Sequence, residues 1–441
     1  MTTIASNISS SLYDTLPDQF STLNAGAQWP EARKEAFARF QALGGFPTVK
    51  VEDWKYTNVI PFFRNLQTLQ LPAPIAVTEA QLEATGLLLP DVYRIVLLNG
   101  ELQPQLSELP PAKQATVLKM SDAAAEPAFK AHFNNSKKLA EHHFAQLNTA
   151  FFTNGLFIEA KAKAQVEKPL HVIHLYHNTN SLLVNPRHLW VAQEGAGIQI
   201  IESAAGIDQN GAMVVNSVIE AVTAERSQMS HYQVQTGGSQ LRSINQTLVQ
   251  QHGKSLYNNY TFTLSESELV RNNLNVSLDD ERTETHLYGF YIATGGQLVD
   301  NHTSVDHRMP NCESNELYRG VLMDKATGVF NGKIFVHEDA QKTNAFQQNN
   351  NLVISPEANI YTKPQLEIFA DDVKCSHGTT IGQVSEEALF YLKARGIGDA
   401  MARSMLVKAF AFDITAQVKI PAVRKQVEQV ATRYLSAAVN N

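Results

Sequence analysis

From about residue 155, short apolar runs follow one another for some 200 residues: LFIEA, HVIHLYH, HLWVAQ, GIQIIES, MVVNSVIEAV, QMSHYQVQT, YNNYTFTL and ELYRGVLM. Each is rich in β-branched or aromatic residues, and Gly, Asn, Ser or Asp separates most of them. Such runs predict strands, and no long 3.6-residue periodicity interrupts them. One ordinary sheet rarely holds so many strands, which leaves a sandwich, a barrel or a solenoid of stacked coils. Asparagine is heavily used, as in RNNLNVS and FQQNNNLVIS. Stacked coils favour Asn because it tolerates the left-handed conformation and hydrogen-bonds along the stack. Two-residue hairpin dipeptides are sparse, which argues against an antiparallel meander. The pattern therefore predicts a mainly β chain with a parallel β-helix core.

Helical patterns flank that core. Pro30 suits the first position of a helix through EARKEAFARFQAL, with Gly44 past its end. A loop, GGFPTVKVEDWKYTNV, follows. The run YRIVLLNG reads as a strand closed by Asn99 and Gly100. SKKLAEHHFAQLNTAF reads as one amphipathic helix with Ser136 as N-cap and Leu139, His143, Phe144 and Leu147 on one side. Helix returns near residue 385. There Ser385 is a suitable cap, Glu386 and Glu387 suit the first turn, and Gly396 ends the run. DAMARSMLVKAFAF starts after Gly398, and a last helix starts at Pro421 with Val423, Val427, Val430 and Tyr434 on one stripe. The expected organisation is a helical and mixed region over 1–150, a β-helix over 151–380 and a helical region over 381–441.

Composition narrows the function classes. The 441 residues are too many for one ordinary domain, and 44% are hydrophobic, enough for a large core. A net charge of −7 disfavours a nucleic-acid partner. No apolar run is long enough to span a bilayer, and MTTIASNISSSLYDTL has no basic segment leading into an apolar one, so neither membrane nor signal peptide is expected. Two cysteines make no disulfide framework. A cytoplasmic chain with reduced thiols is the simplest expectation.

Several stretches carry candidate chemistry. HVIHLYH offers His171, His174 and His177. In a strand, His171 and His177 share a face and His174 points the other way, which disfavours a three-histidine metal site. GVFNGKI resembles a phosphate loop but lacks the spacing and the following Ser or Thr, so nucleotide binding is not expected there. RGIGDAMARSML resembles the hairpin of helix-hairpin-helix DNA binders. The acidic charge and the lack of a basic cluster favour a plain helix connection or a protein-docking surface. DHRMPNC brings Asp306, His307 and Cys312 together in no standard zinc spacing, which favours turn structure. In ADDVKCSHGTTIG, Cys375 and His377 fall two apart and share one strand face, as two candidate ligands for iron or zinc. A closed site wants about four ligands, so a partner chain has to supply the rest. On spacing alone, a buried cysteine and a hydrogen-bonded histidine are slightly favoured over a site.

The stretch HEDAQKTNAFQQNNNLVISPEANIYTKPQLEIFADDVKCSHGTTIG and the later LFYLKARGI closely resemble the SufB/SufD family of iron–sulfur assembly scaffolds. HFAQLNTAFFTNGLFIEA and EDWKYTN fit the same family, and the shortage of cysteines puts the resemblance on its SufD branch. The resemblance implies an N-terminal helical region, a right-handed parallel β-helix and a C-terminal helical region. It implies a non-enzymatic scaffold that pairs with a SufB-like homologue through the β-helices, with an isolated homodimer as an alternative state. It implies an ABC-type ATPase, SufC, on the C-terminal helices, for which Glu386, Tyr391, Leu392, Arg395, Met405 and Phe410 are the expected docking residues. It implies a role in iron acquisition, with iron or a transient iron–sulfur cluster at the partner interface and none tightly bound to the isolated chain. The family's Cys-Ser-His element falls on Cys375, Ser376 and His377, with His377 in the leading role and Cys375 accessory. The competing readings are a β-helix carbohydrate-active enzyme, weakened by the lack of a carboxylate cluster, and a homodimeric binding or structural protein.

Overall fold

Strand after strand from Leu156–Ala160 to Val373–Gly382 stacks into two long sheets in a computed structural model that describes residues 12–64, 66, 68, 69 and 71–439. The N-terminal stretch read for a leader begins outside the described residues. Each sheet has ten strands, and successive strands alternate between the two sheets as the chain winds. One sheet runs through Leu170–Asn178, Gly197–Gln209, Gln228–Gln235, Leu256–Thr263, Glu284–Ala293, Glu313–Leu322 and Thr343–Val353, and ends at Val373–Gly382. The other ends at Asn359–Ile368. These strands pair in parallel. Antiparallel pairs occur near the opposite end, where Glu101–Leu102 pairs with Tyr93–Leu98 and Ala115–Lys119 pairs with Leu156–Ala160. The fold is a β-solenoid, as the strand pattern predicts.

The coil has a measurable pitch in sequence. Arg226, Lys254, Arg282, Asn311 and Lys342 all have positive φ, at intervals of 28, 28, 29 and 31 residues. Each backbone N–H donates to a carbonyl one coil on: Arg226 to Gly253, Lys254 to Glu281, Arg282 to Pro310, Asn311 to Gln341 and Lys342 to Asp372. One recurring left-handed corner thus fixes the register of the stack. Side chains reinforce it. Asn245 donates to Asn272 at 2.9 Å and Asn272 to Asn301 at 3.0 Å, three asparagines in register. Tyr232, Tyr260 and Tyr288 stack in register on the outer face, with ring centroids 4.4 and 5.2 Å apart.

Alternation along each strand sends one set of residues into the lumen. Ile158, Leu170, Val172, Trp190, Ile200, Met229 and Tyr257 fill it with a continuous apolar core. The opposite set on one sheet, including Ile201, Val234 and Phe262, is covered by helices Asp399–Thr415 and Pro421–Val439 through Val407, Ala411, Val423 and Val427. The stripe predicted for the last helix is the face buried there.

The N-terminal helices pack on the other sheet through Phe37, Phe40 and Phe144 against Val214 and Ile244. EDWKYTN is the pin. Arg271 lies over the Trp54 ring at 3.7 Å and bonds the Asp53 carbonyl at 2.8 Å. Thr57 and Arg271 both donate to buried Asp300, at 2.5 and 2.6 Å. Pro30 opens helix Pro30–Ala42, and Ser385 caps helix Glu386–Ala394 by accepting from the Ala388 N–H. The single helix expected over 136–151 is two. A 3-10 turn spans Lys137–Glu141, His142 is extended, and an α-helix spans His143–Phe151. Ser136 makes no side-chain cap, because no α-helix follows it. All nine residues of His143–Phe151 are buried, so tertiary packing on every side decides this segment.

Candidate functional site

The solenoid does not close on itself at its C-terminal end. Val373–Gly382 and Asn359–Ile368 are the last strands of their sheets, and each has a neighbour on one side only. Most of Val373–Gly382 is exposed, in contrast to the buried strands behind it. Exposed apolar side chains gather there: Tyr361, Ile368, Phe369 and Ile381. Unpaired strand edges of this kind are templates for another chain.

Cys375 and His377 lie on this last strand, on the face that continues the lumen. Cys375 is half-buried against Ala345 and Ile334, and burial pushes its thiol above the ordinary value. It is therefore a protonated thiol at neutral pH, and Lys374 on the alternate face does not activate it. His377 is exposed. In register, His377 stands next to Gln347, then Glu316, Leu287, Asn259 and His231, one residue per coil. This line of the lumen is polar from Glu316 to the open end. Glu316 is fully buried and accepts from Gln347 Nε2 at 2.8 Å. Burial pushes its carboxyl up to about 7, and the neighbouring Gln347 and Thr303 only partly oppose this.

Deeper in the lumen sits a group that the sequence reading missed. His174 Nε2 lies 3.0 Å from one oxygen of Glu202, and His231 Nε2 lies 2.7 Å from the other. His188 lies beside them, its ring centroid 5.3 Å from that of His174. Burial opposes ionisation of Glu202. The two imidazole hydrogen bonds and the attraction of those rings prevail, and hold its carboxyl well below the usual carboxylate range. Burial, together with neighbouring His174, drives His188 down to about 3, so its ring is neutral. The signal for this group is the coil length. Glu202 is 28 residues from His174 and 29 from His231, one winding each way.

The remaining candidates separate. His171 faces away from His174 and meets Ser203, while His177 approaches the Ile207 carbonyl at 3.3 Å, so the three histidines form no common site. GVFNGKI lies within strand Thr327–Val336 and makes no loop. Asp306 pairs with Arg308 and His337, His307 meets Ser314 at 2.8 Å, and the Cys312 thiol donates to the Asp280 carbonyl; Asp306 and His307 end strand Leu298–His307, and the expected turn begins only after them, before Cys312.

Among the expected docking residues, Glu386, Tyr391, Arg395 and Met405 are exposed, and Leu392 is half-buried. Phe390 and Met401 join them as large exposed apolar side chains, at 74% and 61% exposure. Phe410 is half-buried like Leu392. It packs inward, and Arg319 covers its ring at 4.8 Å and bonds its carbonyl at 2.7 Å, so it holds the hairpin to the solenoid. Among the described residues, no helix is long and apolar enough to cross a membrane.

Comparison with known proteins agrees with this architecture. Residues 174–410 match the SUF system FeS cluster assembly SufBD core domain, and residues 11–172 match the SufBD protein N-terminal region. An iron–sulfur cluster assembly SufBD family protein of Synechocystis is 31% identical over 397 residues, covering 87% of this chain and 86% of that protein. The iron–sulfur cluster assembly protein SufD of Escherichia coli is 28% identical over 397 residues, covering 87% and 88%. SufD of Bacillus subtilis is 26% identical over 305 residues, covering 67% and 68%. This chain belongs to the SufBD family of iron–sulfur cluster assembly proteins.

Proposed function

We propose that this member of the SufBD family is a non-enzymatic, cytoplasmic scaffold subunit. It pairs end to end with a SufB-like homologue, and nascent iron–sulfur clusters form across that junction. The observation that carries the reading is the open C-terminal end of the solenoid: two terminal strands, an apolar rim and a polar lumen with Cys375 and His377 at its mouth. A homologous chain that continues both sheets would satisfy the free strand edges. It would also bring its own ligands to His377, which one chain alone cannot surround. Iron and sulfide are cargo in this reading. Cys375 is accessory, because a thiol raised by burial ligates only once the metal displaces its proton to solvent. A homodimer through the same edge is the state expected of the isolated chain.

The helical hairpin from Glu386 to Phe412 carries the ABC-type ATPase in this proposal. Phe390, Tyr391, Met401 and Met405 expose apolar surface with Arg395 over the Tyr391 ring, a composition suited to a protein interface. The test is affinity purification from the native host with mass spectrometry of the partners. A SufB-like homologue and an ABC-type ATPase should both co-purify. His377→Ala should retain both partners yet fail to mature clusters in cells that depend on this pathway. Full maturation by His377→Ala would remove the ligand role. Retention of the ATPase by a Phe390→Asp, Met401→Asp variant would remove the docking assignment.

A further inference from the structure

We propose that the lumen of the solenoid holds a binding site for one divalent transition-metal ion, built from His174, His188 and Glu202. This site is separate from the open end. His377 stands five strands from His231, about 24 Å at the usual strand spacing. Each of the three residues offers one ligand atom, and these atoms lie within 4.8 Å of one another. Two imidazoles and one carboxylate with open positions is the donor set that suits iron(II) and zinc(II).

Three features point to a cation. Glu202 is a buried carboxylate whose near partners are imidazoles, and among the described residues no lysine or arginine pairs with it. A buried carboxylate is stabilised by a bound cation, which offsets the cost of burying its charge. Second, His188 Nε2 and His174 Nδ1 are buried with no hydrogen-bond partner among the described residues. Polar atoms left so in a core are expensive unless a ligand or water meets them. Third, a cavity of about 70 Å³ adjoins the group, lined by His174, Glu202, Ser203, Ser217 and Gln233. It has room and polar partners for water in the open coordination positions.

The surroundings divide the labour. His231 sits on the second oxygen of Glu202, with Tyr257 Oη and Asn259 Nδ2 at 3.3 and 3.4 Å from its other nitrogen. It orients the carboxylate, as outer hydrogen bonds do at metal sites, so that the ion would compete only with His174 Nε2 for the first oxygen. The Leu156 amide donates to His188 Nδ1 at 3.1 Å, which puts the proton of the neutral ring on Nε2. Coordination through Nε2 requires the other tautomer: the proton passes from Nε2 to Nδ1, and the Leu156 amide has to turn from the ring to another acceptor.

Cobalt(II) is a suitable probe, added anaerobically to the purified full-length chain after chelation. Wild type should bind one cobalt per chain with the visible bands of low-symmetry cobalt. Glu202→Gln and His174→Gln should each bind at least tenfold more weakly. The double variant Cys375→Ser, His377→Ala should bind as wild type, which separates this site from the open end. Absence of one-to-one binding by wild type would overturn the proposal. Undiminished binding by Glu202→Gln, or loss of binding in the double variant, would do the same. Should Glu202→Gln fail to fold, wild type alone decides. Saturating cobalt should raise its unfolding temperature, and an unchanged temperature would sink the idea. None of these results bears on which proteins co-purify with the chain.

Discussion

Glu316 gives the sharpest handle on the lumen. Replacing it with Gln keeps the shape and the acceptor for the Gln347 amide, and removes only the ionisable group. Its folded-state value of about 7 lies above the ordinary 4.5, because burial penalises the carboxylate. Below about pH 4.5 both folded and unfolded chains carry the proton, and the group costs nothing. Between the two values the unfolded chain ionises first, so stability falls as pH rises. Above about pH 7 the folded chain ionises as well, and the loss levels off at about 3 kcal/mol, from about 1.4 kcal/mol per pH unit of displacement. An unfolding entropy of about 0.9 kcal/mol/K for a chain of this length turns that into about 3 °C. Glu316→Gln should therefore match wild type near pH 4.5 and melt about 3 °C higher near pH 8. Thermal unfolding of both proteins by circular dichroism across that range makes the comparison. A constant difference at all pH values would refute the buried, proton-holding carboxyl, as would a variant that is less stable at pH 8.

Three further outcomes follow from the packing. Gly289→Ala would place a Cβ about 2.0 Å from the buried Tyr318 ring, so it should destabilise the chain by about 1–3 kcal/mol in denaturant titrations, and wild-type stability would count against the packing. Arg187→Ala strands buried Glu220, which Arg187 holds at 2.5 Å, and should cost about 3–5 kcal/mol. Replacing both by Met and Leu should recover most of that loss, and a double variant no better than the single would refute the pairing. Cys375 should react with iodoacetamide more slowly than a free thiol at pH 7 and speed up only in alkali. Faster reaction than the free thiol would show an activated thiolate instead.

What the sequence displayed is what repeats locally. Short β-branched runs broken by Gly and Asn predict the solenoid because each strand signals its own alternation, whatever the strand next to it does. Pro30, Ser385 and Pro421 mark helix starts through local backbone chemistry. Where burial overrides local preference the reading fails. His143–Phe151 is surrounded, so its apolar stripe carries no direction, and the break at His142 has no signal in SKKLAEHH. Phe410 looks like its exposed neighbours Met401 and Met405, and only the contact with Arg319 sets it apart. The His174, His188 and Glu202 group is hidden for another reason. A strand reading relates residues two apart, whereas Glu202 meets His174 from one coil away and His188 from half a coil away, on the other sheet. The interval of 28 to 31 residues between left-handed corners is the missing ruler, and it is visible only once the corners are known.

The polar groups along the lumen bear on the proposed partner. In the first coils the interior is apolar at Ile158, Leu170, Val172 and Trp190, and polar at His174, Glu202 and His231, which meet one another inside the stack. Toward the other end the register that starts at Leu170 and Ile200 carries Glu316, Gln347 and His377. A polar interior is stable only while each group keeps a hydrogen-bond partner. Within the stack, the next coil supplies it, as Gln347 does for Glu316. At Val373–Gly382 no next coil exists in this chain, and an apolar cap would leave His377 and the strand edge unmet. Water satisfies that edge in the free chain, at the cost of the exposed Ile368, Phe369 and Ile381 around it. The cover that meets both demands offers parallel strand edges, an apolar rim and polar or ligating groups on the axis. A second β-solenoid of the same family has that form, which is why the open end and the proposed site at Cys375 and His377 coincide.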